Sequence, residues 1–67
     1  MIDWQIITNR LRKHGSLESI GRENNISSVH LRRLARGEVK EPKFEAGIKL
    51  LDLHLDLFPD KHRDIKL

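Results

Sequence analysis

The sequence predicts an all-α fold, a compact bundle of four or five helices. Three observations carry that expectation. Three short segments within residues 3–37 each open on a side chain suited to capping a helix and close on glycine or asparagine. The first shows apolar residues recurring at helical spacing. The stretch 43–57 is built mainly from Leu, Lys, Glu and Ala, with almost no β-branched residue.

Asp3 caps a first helix running to about His14, with Trp4, Ile7 and Leu11 at i, i+3 and i+7 as its buried stripe. Gly15 ends it in the left-handed geometry that helix termini favour. Ser16 caps a second, short helix over about Leu17–Asn24, with Glu18 in its first turn, where the helix dipole favours an acid. Asn24-Asn25 breaks that helix, since asparagine tolerates positive φ better than other non-glycine residues. Ser27 caps a third helix, Ser28 to Arg36, which Gly37 closes. Residues 37–42 form a loop, and Pro42 suits the first turn of a fourth helix.

The leucine-rich stretch after Pro42 reads two ways. Phe44, Ile48, Leu51, Leu55 and Phe58 keep helical spacing. Leu51, Leu53, Leu55 and Leu57 alternate with Asp52, His54 and Asp56, the period of a half-buried strand. Length and composition favour a helix over 43–57, stopped by Pro59. A polar tail, 60–67, is expected to fray, with Ile65 and Leu67 as its docking residues if it docks.

At 67 residues the chain has room for one domain, placed at 1–59. Its 37% apolar content, with three aromatics, suits one small aliphatic core and no deep enzyme pocket. There is no cysteine, which excludes disulfides and thiolate metal sites. No apolar run approaches a membrane span and no secretory signal is evident, so the expected setting is cytoplasmic.

The net charge of +3 is unevenly spread. Residues 1–40 hold eight bases and four acids, whereas 41–67 hold five bases and six acids. Arg32, Arg33 and Arg36 fall within five residues. A basic amino-terminal half is the electrostatic footprint of a polyanion binder, although an ordinary solvated surface gives the same arithmetic.

The segment Gly15–Gly37, GSLESIGRENNISSVHLRRLARG, resembles the helix-turn-helix of the Cro/CI-type phage repressor family. Ile20 is its first buried position, Gly21 the small residue where two helices cross, and Asn25 the turn residue where the family usually has glycine. Ile26 is the buried turn residue, and Leu31 and Leu34 face inward from the second motif helix. Asn24 departs, because that position is normally apolar. The likeness covers about residues 16–36 strictly and extends loosely to the first helix and to Lys40–Leu55. It implies a lambda-repressor-like fold and a sequence-specific transcription regulator, a Cro-like repressor, that inserts helix 28–36 into the major groove of double-stranded DNA.

At about 100° per residue, Leu31, Leu34 and Ala35 group on one side of the third helix, with Val29, Arg33 and Arg36 opposite and Arg32 beside them. Recognition helices present their amino-terminal residues to base edges, which makes Ser28, Val29, Arg32 and Arg33 the candidate base readers. An arginine can pair bidentately with guanine, and Val29 can touch a thymine methyl or instead lie against the second helix. Phosphate contacts are expected from Ser16, Leu17, Ser19 and Ser27 at helix amino termini, and the resemblance implies further ones from Arg36 and Lys40, at and after the end of the recognition helix. Lys43 reads better as a solvated cation. Arg10, Arg12 and Lys13 read as solvent charges with a long-range steering role at best.

His54 stands between Asp52 and Asp56, but i and i+2 point apart on a helix, and His14, His30 and His62 have no paired spacing. No metal, cofactor or catalytic constellation is expected, and the chain is read as a non-enzyme. Motifs of this class bind two half-sites as dimers, and Leu50, Leu53, Leu57 and Phe58 are the expected homodimer seam. Were this stretch a strand, edge pairing would form the seam instead. A small helical interaction module, an antitoxin or adaptor without specific DNA readout, is the competing reading.

Overall fold

The computed structural model describes residues 2–65. Its elements are α1 (Trp4–Leu11), α2 (Leu17–Asn24), α3 (Ser28–Arg36), α4 (Phe44–Leu57) and a 3-10 segment, Pro59–Ile65. The fold is all-α, and the ambiguous leucine-rich stretch is helix. α1 packs across α3 and α4, α2 packs on α3, and the 3-10 segment closes against α4 and α1.

Local capping explains where the first three helices start. Asp3, Ser16 and Ser27 each accept a hydrogen bond from the backbone N–H three residues on, at Ile6, Ser19 and His30. Asn25 and Gly37 end α2 and α3 with φ of 56° and 78°. α1 ends differently from the expectation. It stops at Leu11, and Lys13 and His14 donate to the carbonyls of Arg10 and Leu11 in a tight turn. Gly15 is therefore not left-handed, since the orphan carbonyls are already met. α4 starts at Phe44, so Pro42 precedes the helix rather than opening it, and Lys43 stands at the cap without a side-chain bond.

The core is aliphatic. Ile7, Leu11, Leu31, Leu34 and Leu50 are shut off from solvent, with Leu17, Ile20, Ile26, Ala35 and Ile65 around them. Gly21 is required at the α2–α3 crossing, because a Cβ there would stand 2.4 Å from the Ile26 carbonyl oxygen. Asn24 fills its unusual position by donating from Nδ2 to the Ile20 carbonyl (2.9 Å), while Lys49 Nζ donates to the Asn24 carbonyl (2.9 Å). Asn9 Nδ2 donates to the Ala35 carbonyl (2.9 Å), tying α1 to the end of α3.

Three expectations for the carboxyl-terminal third need correction. The tail does not fray over 60–65: Ile65 lies in the core, and the Asp3 N–H donates to its carbonyl. The 3-10 segment thus packs on α4 and α1 and adds Ile65 to their core. Leu67 lies outside the described residues. Leu50 is fully buried, so it is no part of an outward seam. Leu53 and Phe58 are half-buried against the core, and the Phe58 ring is held by His14, edge-on at 4.9 Å between centroids, and by His54 at 5.4 Å. Leu57 alone of the four expected residues is exposed. α4 instead turns outward Phe44, Ile48 and Leu55, at i, i+4 and i+11, with Phe44 82% exposed. The helix carries apolar residues on several sides, and contact with α1 and the 3-10 segment selects which side is buried.

Candidate nucleic-acid interface

α3 is placed by its buried side. Leu31, Leu34 and Ala35 fix it on α1 and α2, which leaves Val29, Arg32, Arg33 and Arg36 outside the core and Ser28 half-buried at the amino end. Val29 is 49% exposed, so it is not consumed by packing against α2. Its branched apolar side chain stands out from α3 between the half-buried Ser28 and the exposed arginines.

The three arginines do not share one environment. Arg33 makes no ion pair or side-chain hydrogen bond among the described residues. Arg36 pairs with Glu38 at 3.0 Å, just beyond the Gly37 cap. Arg32 turns toward α2, where its guanidinium binds the carboxylate of Glu18. Of the four expected base readers, Arg32 alone is drawn aside by an acid of α2.

Between the end of α1, the start of α2 and α3 lies an open cleft of about 490 Å³, lined by Arg12, Ser16, Leu17, Glu18, Arg32 and Arg36 among others. It gathers three of the residues expected at phosphate: Ser16, Leu17 and Arg36. The Leu17 side chain is buried, so only its backbone is available to a ligand. The Ser16 hydroxyl accepts from the Ser19 N–H (3.1 Å) and donates to Ser19 Oγ (3.1 Å), which holds both serines in the α2 cap. Ser27 is likewise occupied as the α3 cap. Lys40 is exposed in the loop after α3, apart from this cleft.

Arg12 belongs to the cleft although its sequence context suggests a plain solvent charge. The available signal is its position four residues before Ser16, which brings it beside the α2 cap once α1 ends early. Glu18 was legible only as a first-turn acid. Its pairing with Arg32, fourteen residues away, depends on how α2 crosses α3.

The cleft is cationic: Arg12, Arg32 and Arg36 line it against a single acid, Glu18. Arg12 has no acidic partner among the described residues, only a long contact to Asn9 Oδ1 (3.4 Å). Three guanidinium-bearing residues against one carboxylate give the cleft a net positive charge. No group of three or more His, Asp or Glu gathers in metal-binding geometry among the described residues, and no helix among them is long and apolar enough to cross a membrane. Searches of protein-family models, curated proteins and solved structures returned no match to the chain.

Proposed function

We propose that the protein is a sequence-specific DNA-binding transcription regulator that lays α3 in the major groove, in the manner of the Cro/CI-type repressors its 16–36 segment resembles. The observation that carries this reading is the outward face of α3, where exposed Val29 stands on the same side as Arg33, which has no ion pair among the described residues. An arginine reads guanine bidentately and an apolar tip reads a thymine methyl, so the pair has the two chemistries that direct readout uses. Ser28 adds a hydroxyl at the leading end. The adjoining cationic cleft and exposed Lys40 supply backbone contacts that set register without reading sequence.

One α3 covers one half-site, and two-fold readers place two such helices about one turn of DNA apart. The surface that suits a second copy is the stripe of Phe44, Ile48 and Leu55 on α4, with Leu57 exposed further along the helix. A homodimer on a pseudo-palindromic operator is the assembly this reading expects.

The exposed Phe44 stripe also supports a second reading, in which the same scaffold captures another protein. Beside Phe44 runs a groove of about 450 Å³ lined by Trp4, Pro42, Gly47, Ile48 and Leu51. Selection from a random duplex pool separates the two readings. The regulator enriches one motif, and a palindromic winner reports two-fold symmetry in the protein. A pool with no enriched motif rejects the regulator and leaves the interaction module.

A further inference from the structure

The Glu18–Arg32 pair has a specific place in this interface. Arg32 lies about 100° from Arg33 around α3, on the side toward α2. Arg32 lines the cleft together with Arg12 and Arg36, and Glu18 is the only acid among the described residues that line it. The other nearby acid, Glu38, is held by Arg36.

Resting on the regulator reading, we propose that Arg32 and Arg12 hold a backbone phosphate of the duplex, and that the Glu18 carboxylate is the anion the phosphate displaces. Arg32 then fixes register and reads no base. The pair is suited to exchange. Its two side chains are 46% and 61% exposed, so water and salt screen it, and pairs of that kind hold together weakly. A phosphate offers the guanidinium the same fork-to-oxygen geometry with more oxygens. Arg12 lines the same cleft and pairs with no acid among the described residues, which makes it the second cation for that phosphate. Glu18 therefore lowers affinity for every duplex alike, and the discrimination carried by Val29 and Arg33 is left intact.

The test uses the full chain with two duplexes of equal length, the selected one and a scrambled one, titrated at several salt concentrations. Glu18→Gln is expected to tighten binding to both by the same factor, roughly two- to fivefold. Arg32→Ala is expected to weaken both alike and to lower the slope of log affinity against log salt by about 0.9, with the selected motif unchanged. Introducing Glu18→Gln into Arg32→Ala is expected to give a smaller gain than in the parent. Thermal melts of each variant show whether the fold is kept; both side chains are exposed. If Arg32→Ala relaxes preference at one base pair, Arg32 is a reader and the inference is overturned while the regulator reading stands. A Glu18→Gln loss of affinity in a folded variant overturns it too. A parent chain that binds neither duplex removes the regulator reading and this inference together.

Discussion

The Nδ1 atoms of His54 and His62 face each other at 3.2 Å, while the Arg10 guanidinium lies 3.1 Å from Nε2 of His54. His54 is fully buried. Arg10 has only protons to offer, so Nε2 of His54 accepts and its Nδ1–H donates to His62. A proton added to His54 would put an N–H against the guanidinium. Burial first, then Arg10, then His62 hold its pKa below 6.5. Well above pH 6.5 the residue is neutral whether the chain is folded or not, and it costs nothing. As pH falls below 6.5, the unfolded chain takes up a proton that the folded one refuses. Stability then falls by at most about 1.4 kcal/mol per pH unit until the folded-state pKa is passed. Thermal melts between pH 7.5 and 5 should show Tm falling below 6.5, and His54→Leu should flatten that fall. Parallel profiles for the two proteins would assign the acid sensitivity elsewhere.

The α2–α3 crossing should tolerate no side chain at Gly21. A Cβ there meets backbone rather than a movable side chain, 2.4 Å from the Ile26 oxygen. Gly21→Ala is expected to cost about 1–3 kcal/mol or more in urea unfolding, despite the better helix propensity of alanine. A neutral outcome would mean that the two helices separate freely.

The carboxyl-terminal segment should behave as core. Ile65 is 6% exposed, and its carbonyl accepts from the Asp3 N–H at the start of α1. Ile65→Ala is expected to destabilise by about 2–4 kcal/mol, close to the loss at a central aliphatic position. Amide exchange at Asp3 should accelerate in parallel. An effect below about 0.5 kcal/mol would restore the picture of a frayed tail.

Base readers and phosphate holders should separate in binding. Arg33→Ala is expected to relax the selected motif at one base pair, losing about 1–3 kcal/mol there. Lys40→Ala is expected to weaken all sequences alike and lower the salt slope by about 0.9. Uniform loss from both variants would show that Arg33 does not read a base.

Capping and chain reversal were written locally. Asp3, Ser16, Ser27, Asn25 and Gly37 act on backbone groups within four residues, so their roles could be read along the chain and appear as expected. The alternation of leucines in 51–57 misled only as a possible strand, since helix propensity over fourteen residues outweighed it. The close approach at Gly21 was legible only through the resemblance of residues 15–37 to a helix-turn-helix, and the 2.4 Å from a Cβ there to the Ile26 oxygen agrees with it.

What the sequence determined by itself was the type and the starts of the first three helices, through hydrogen bonds that span a single turn. Tertiary packing decided the rest. α4 presents leucines on several sides, and only its seat against α1 and the 3-10 segment sends Leu50 inward and Phe44, Ile48 and Leu55 outward. The crossing of α2 over α3 brings Glu18 to Arg32, and the return of the last turn brings His62 to His54 and Ile65 to Asp3. Each of those contacts joins residues whose separation along the chain carries no local signal, so burial and charge at these positions were set by geometry.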